Sequence, residues 1–231
     1  MRLNNSTIKN QYFAPLRKII SKLTNRLIMY QNLKNSINKI AEIKVSDERK
    51  EVLKPLADFI QTKLDKNENI NLNFICTHNS RRSHLSQIWA QVMAEYFGVK
   101  NVFCYSGGTE ATAMFPRVAE TLQNQGFEIL KLSEAENPVY AVKFSENNHP
   151  VICFSKNYND DFNPKSEFGA ILTCDSADEN CPIVFGAEAR ISVKYKDPKA
   201  SDGTPEMDET YFKRSFEIAS EMYWVFSKIR K

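Results

Sequence analysis

Glycine is scarce in this chain of 231 residues: there are seven, and none among the first 70. No apolar run approaches the roughly 20 residues that a membrane-spanning helix needs. Neither charge sign dominates. The net charge of +3 is too weak a field to argue for a nucleic-acid partner. The N-terminus is basic, but it lacks the continuous apolar core and small-residue cleavage site of a secretory signal. Cysteine is confined to positions 76, 104, 153, 174 and 181, too sparse and uneven for a disulfide framework. A cytosolic, reducing compartment is therefore expected. There, cysteines are catalytic, redox-active or simply packed.

What the chain does contain is ordered by period. Phe13, Leu16, Ile20, Leu23 and Leu27 recur at helical spacing, as do Leu33, Ile37 and Ile40, and then Val52, Leu53, Leu56, Ile60 and Leu64. The polar run Asp65-Lys66-Asn67-Glu68-Asn69 closes this region. Residues 1–69 are thus expected as an N-terminal helical extension and 70–231 as the main domain. The first 28 residues carry Arg2, Lys9, Arg17, Lys18, Lys22 and Arg26 and no acid. That pattern reads as a solvated face, or as sequence upstream of an initiator at Met29, in preference to a membrane-surface helix.

From residue 70 strands alternate with helices. The pattern predicts a strand at 70–75, a helix at 83–97, a strand at 101–105, a helix at 116–125, and strands at 169–173 and 190–193. Segments 139–144 and 151–154 flank Ser145-Glu146-Asn147-Asn148-His149-Pro150 and predict an inserted β-hairpin. Thr204-Pro205 predicts the N-cap and first turn of a last helix, with Phe212, Phe216, Ala219, Met222, Tyr223, Phe226 and Ile229 on its apolar stripe. This order argues for an α/β fold with a largely parallel sheet. Cys104 and Cys153 read as packing residues within strands.

One loop carries chemistry. Cys76 ends the apolar run of the first strand, Arg82 follows on a C-x5-R spacing, and Ser83 opens a helix. Ligands of open α/β sheets bind beyond the carboxyl ends of the strands. A short loop running into a helix N-terminus presents unpaired N–H groups to a tetrahedral oxyanion. Thr77, His78, Asn79, Ser80, Arg81, Arg82 and Ser83 are therefore the expected oxyanion-binding residues. Arg82 supplies an always-charged planar fork, and Ser83 a hydroxyl for the sulfur. The same positive end favours a thiolate at Cys76, placed for in-line attack on phosphorus or arsenic.

A displaced oxygen needs a proton. Asp197, in Tyr195-Lys196-Asp197-Pro198, lies between the last strand and the last helix, on a loop that Pro198 stiffens. It is the candidate general acid, and then the base. Cys174 follows directly on another apolar strand, at the same sheet edge as Cys76. Seven residues on stands Cys181. A disulfide needs Cα atoms within about 7 Å, which one continuous helix does not provide at that spacing, so a Cys174–Cys181 bond would require the segment to loop out. That makes a redox switch in which Cys174 attacks oxidised Cys76 and Cys181 resolves.

The segment from Phe74 to Ser83 resembles the anion loop of the low-molecular-weight protein tyrosine phosphatase superfamily. Tyr105 to Ala111 resembles the segment after its second strand, and Lys196-Asp197-Pro198 its general-acid loop. Cys174 to Pro182 is similar to the redox segment of the thioredoxin-coupled arsenate reductases within that superfamily. The resemblance covers roughly residues 70 to 231. It implies a flavodoxin-like layout: an open, mainly parallel sheet of four strands with helices on both faces. It also implies Cys76 as nucleophile, Arg82 as oxyanion binder, Asp197 as acid, Cys174 and Cys181 as relay, Ser83 as the thiolate's partner and Asn79 as the residue that shapes the loop. Three positions depart from the pattern. Arg81 stands where a small residue or a cysteine is common, and His78 where glycine is. Gln87 replaces an acid that helps hold potassium in some reductases, so no metal or other cofactor is expected.

Three functions fit these residues. The first is an arsenate reductase that uses a thioredoxin-type reductant. The second is a phosphatase acting on phosphotyrosine or a small phosphoester. The third is a non-catalytic, redox-sensing oxyanion binder whose helical N-terminus engages a partner or a second copy of the chain.

Overall fold

A computed structural model describes residues 29–180 and 183–231. The basic segment 1–28, with its expected stripe, and Cys181 lie outside the described residues. Helices α1 (Gln31–Ala41) and α2 (Asp47–Asp65) come first. Ser46 caps α2, its hydroxyl accepting from the Arg49 N–H at 3.2 Å, and Asp47 and Glu48 sit at the positive end of the helix dipole. Of the predicted stripes, Leu33, Ile37 and Ile40 and Leu53, Leu56 and Ile60 are buried in one cluster with Leu72 and Phe74 of the sheet, Leu64 packs against it half-buried, and Val52 is exposed. The N-terminal helices therefore bury their apolar faces against the chain's own core. No helix among the described residues is long and apolar enough to cross a membrane.

The sheet has four parallel strands in the order β2-β1-β6-β7: β1 (Ile70–Cys76), β2 (Val102–Gly108), β6 (Phe168–Leu172) and β7 (Ala187–Ser192). Strand alternation splits the core in two. Leu72, Phe74 and Ile171 face the larger cluster with α3 (Arg82–Phe97) and the last helix, α6 (Met207–Ser227). Ile75, Ala170 and Leu172 face a smaller one, closed by Ala177 of the short α5 (Asp175–Asn180) and by Val184. The expected α/β class, parallel sheet and helices on both faces are all present. Because β1 is an inner strand, its last residue, Cys76, emerges mid-sheet, in register with Gly108 of β2.

After α4 (Pro116–Asn124), which starts on its proline, comes the insertion. The predicted hairpin is β4 (Tyr140–Lys143) and β5 (Val151–Cys153), paired antiparallel. A third strand, β3 (Glu128–Lys131), joins it. Its side chains are mostly exposed, so no apolar period marked it. Two glutamines of α3 satisfy the edge strand β2 where a fifth strand would otherwise pair. Gln91 accepts the Cys104 N–H at 3.0 Å and donates to Val102 O at 3.1 Å. Gln87 donates to Cys104 O at 3.1 Å and to Ile152 O at 3.3 Å, fastening the insertion to the sheet.

The last helix starts later than Thr204-Pro205 predicted. The Thr204 hydroxyl donates to Ser201 O at 2.9 Å, extending the preceding turn, and α6 begins at Met207.

Candidate functional site

Cys76 is 3 % exposed at the carboxyl end of β1. Its sulfur lies 3.1 Å from Ser83 Oγ. Asn79 Nδ2 donates to that same oxygen at 2.9 Å, which leaves the Ser83 proton free to point at sulfur. Asn79 has φ of 44°, in the left-handed region where asparagine is tolerated best after glycine. Its Oδ1 is fixed by the Lys156 N–H at 3.0 Å. The residue expected to shape the loop thus holds three parts of the site in one conformation.

Among the described residues, none of the N–H groups of residues 77–81 donates to a backbone carbonyl. Arg82 then opens α3, whose first turn adds further N–H groups with no intrahelical acceptor. Donors in this number at the end of a parallel strand are the makings of an anion site. Three of the loop carbonyls, by contrast, are spoken for by the segment after β2 and by Ser155. Thr77 O accepts from Glu110 N at 2.8 Å, His78 O from Ser155 Oγ at 2.9 Å and Thr112 Oγ1 at 3.1 Å, and Ser80 O from Phe115 N at 3.0 Å.

Gly108 makes this approach possible. A Cβ there would stand 2.6 Å from Thr77 O and 2.7 Å from Asn79 N. His78 has no positive φ and needs no glycine, and its Nδ1 lies 3.1 Å from Glu110 Oε2 at the rim.

Arg82 reaches the loop that carries the candidate acid. Its guanidinium donates to Tyr195 O at 3.0 Å and to Asp197 Oδ2 at 2.5 Å. The other carboxylate oxygen of Asp197 accepts from Lys199 N at 3.0 Å and caps the 3-10 turn Pro198–Ser201. Cys174 is buried, with its sulfur 3.5 Å from Thr77 Oγ1 and 3.3 Å from the Ala177 N–H that it accepts. Of the sequence-predicted residues, Cys76, Ser83 and Asn79 are thereby linked by direct contacts, Arg82 and Asp197 form a second linked pair, and Cys174 touches Thr77.

Arg81 departs from the expectation. Its guanidinium donates to Tyr211 Oη and to Asp202 Oδ2, both at 2.6 Å, and lies 4.2 Å from the centre of the Phe115 ring. Its backbone N–H remains in the row of donors, while its side chain is engaged elsewhere.

Beneath the loop, burial shapes the ionisable groups. His84 is pushed down to about 3 by burial and then by Lys156, so it is neutral, with Nδ1 3.2 Å from Ser106 Oγ. Lys156 is pushed down to about 8 by burial. Its ammonium donates to Phe154 O at 3.3 Å and lies 4.2 Å and 5.2 Å from the Phe154 and Phe162 ring centres. Burial raises the thiols of Cys104 and Cys153, in keeping with packing roles. Sequence reasoning did not find Ser155, Lys156, Asp202 or Tyr211. No local pattern marks them, because each meets the loop from a distant part of the chain.

No protein-family profile matches the chain. "Arsenate reductase 2" from Staphylococcus haemolyticus (strain JCSC1435) is 29% identical over 112 residues, which is 48% of this chain and 65% of that relative. The match thus spans just under two thirds of the relative's length. Among solved structures, a low-molecular-weight protein tyrosine phosphatase from T. tengcongensis aligns at a TM-score of 0.47 and 15% identity over 70% of this chain and 100% of that one. An arsenate reductase from Archaeoglobus fulgidus DSM 4304 aligns at 0.44 and 16% identity over 68% and 99%.

Proposed function

We propose that this chain is a cysteine-dependent oxyanion enzyme on the plan of the low-molecular-weight phosphatases, and that its activity is arsenate reduction. One observation favours reduction over simple hydrolysis: the buried Cys174 sulfur abuts Thr77, the residue next to the nucleophile. Hydrolysis has no use for a thiol there.

In this reading the Cys76 thiolate attacks arsenate held by the N–H row and Arg82, and Asp197 protonates the departing oxygen as water. Sulfur is then bonded to arsenic(V). The Cys174 thiolate attacks Cys76 Sγ, forming a disulfide, and the S–As electron pair passes to arsenic, which leaves as arsenite. Two thiols are oxidised and arsenic(V) becomes arsenic(III). Cys181 displaces Cys76 from the mixed disulfide, and an external dithiol of the thioredoxin type reduces the resulting Cys174–Cys181 bond. Cys174 sits at the N-terminus of α5 and Cys181 follows its last residue, so α5 must unwind for the two to bond.

A second reading, phosphomonoester hydrolysis, is supported by Asp197, whose carboxylate is held on Arg82 beside the loop. The experiment that separates the two measures thioredoxin-coupled arsenate reduction and p-nitrophenyl phosphate hydrolysis for wild type, Cys76→Ser, Cys174→Ser and Cys181→Ser. The relay requires Cys174→Ser and Cys181→Ser to lose reduction and keep hydrolysis. Reduction that survives both changes removes the relay. Either activity surviving in Cys76→Ser removes the nucleophile.

A further inference from the structure

The two adjacent arginines of the anion loop hold opposite ends of one segment. Arg82 grips its start, at Tyr195 O and Asp197 Oδ2. Arg81 grips its end, at Asp202 Oδ2. Between them lie Pro198–Ser201 and the candidate acid. We propose that Arg81 is a positioning residue: together with Arg82 it clamps residues 195–202 at both ends and so sets where Asp197 sits relative to Cys76.

The Arg81 contacts are built for rigidity. Arg81, Asp202 and Tyr211 form a closed ring of hydrogen bonds, with the Tyr211 hydroxyl donating to Asp202 Oδ1 at 2.7 Å while accepting from Arg81 Nε at 2.6 Å. Tyr211 is fully buried on α6. Phe115, stacked under the guanidinium, also ties its own N–H to Ser80 O in the anion loop. The Arg81 and Asp202 side chains are only 11% and 24% exposed, so water competes weakly for the pair. A lysine could not make this set of contacts, because its point charge lacks the planar fork. Nε and Nη2 of the guanidinium are committed to Tyr211 and Asp202, which argues for action through the acid loop.

The inference rests on Asp197 being the acid, and its test is arranged to separate the two claims. Single-turnover hydrolysis is measured for phenyl phosphate, a poor leaving group, and p-nitrophenyl phosphate, a good one, in Arg81→Met, Asp202→Asn and Tyr211→Phe. Arg81→Met is expected to slow phenyl phosphate by about 10- to 100-fold, the cost of a misplaced catalytic group. It should slow p-nitrophenyl phosphate less than about threefold, since that leaving group needs little proton assistance. The inhibition constant of inorganic phosphate should stay within about threefold. The two milder variants should move the same way, by less.

Equal slowing of both substrates, with phosphate inhibition weakened about tenfold as expected for one lost contact to an anion, would make Arg81 an anion binder and overturn the proposal. Hydrogen exchange across residues 195–202 supplies a readout independent of turnover. Faster exchange in Asp202→Asn and Arg81→Met supports the clamp, even if wild type shows no Cys76-dependent hydrolysis and the enzymatic reading falls. Unchanged exchange overturns the clamp.

Discussion

Arg82 Nη2 donates to Asp197 Oδ2 at 2.5 Å, so the arginine that should receive an oxyanion and the carboxylate that should supply its proton are each other's partners. Part of the guanidinium's capacity is spent on Asp197. A doubly charged anion entering the loop meets the carboxylate as a competitor for the same fork.

It follows that Asp197→Asn should have opposite effects on binding and turnover. Removing the competing charge should tighten inhibition by inorganic phosphate by about three- to tenfold, the worth of one partly exposed charge pair. Losing the acid should slow hydrolysis of poor leaving groups by about 10²-fold or more. A leaving-group series under single turnover reads both effects. Equal slowing of good and poor leaving groups would count against the acid.

Asn79 offers a separation of backbone from side chain. Asn79→Gly keeps the left-handed φ but loses the bonds to Ser83 and Lys156 N, whereas Asn79→Ala loses both. Asn79→Ala should be the less stable by about 1 kcal/mol or more, the cost of holding a Cβ in that conformation. Both should slow Cys76 chemistry, because Ser83 is no longer oriented. Urea melts compare the stabilities, and p-nitrophenyl phosphate turnover reports the orientation.

Lys156 links the site to pH. Burial holds its ammonium at about 8 in the fold, while the unfolded chain keeps its proton to about 10.4. Below pH 8 both states are charged and the burial cost is present in full. Between about pH 8 and 10.4 the unfolded state binds more protons, so this group makes stability rise with pH by at most about 1.4 kcal/mol per unit. The difference in urea midpoint between Lys156→Met and wild type should therefore be largest near pH 7 and shrink towards pH 10. A difference that is flat with pH would contradict the burial account.

The relay predicts a species that can be caught. In Cys181→Ser, one turnover with arsenate should leave a Cys76–Cys174 disulfide, mapped by mass spectrometry after digestion without reductant. Its absence despite arsenite release would mean that Cys174 is not the attacking thiol.

Much of this was readable from the chain because it is local. Strand, loop and helix follow one another between Ile70 and Phe97, and the candidates Cys76, Asn79, Arg82 and Ser83 all lie within that stretch. Asp197 was singled out from its place between the last strand and the last helix, and only the fold shows its carboxylate on Arg82. Arg81 was assigned to the anion because its neighbours are; its partners Asp202 and Tyr211 lie 121 and 130 residues away, beyond any local pattern. Lys156 was passed over for a related reason. Lysine is rarely buried, and only the fold shows its backbone holding Asn79 and its ammonium between two aromatic faces. β3 escaped notice because its mostly exposed side chains carry no apolar alternation.

The central claim is that Cys76 is the nucleophile for a tetrahedral oxyanion. The most direct measurement uses Asp197→Asn, which should slow release of the intermediate. The variant is mixed with p-nitrophenyl phosphate, quenched in acid within one turnover, and digested for peptide mass mapping. The account predicts a phosphoryl adduct on Cys76, absent from Cys76→Ser. An adduct on another residue, or nitrophenol release with no adduct on Cys76, would contradict it.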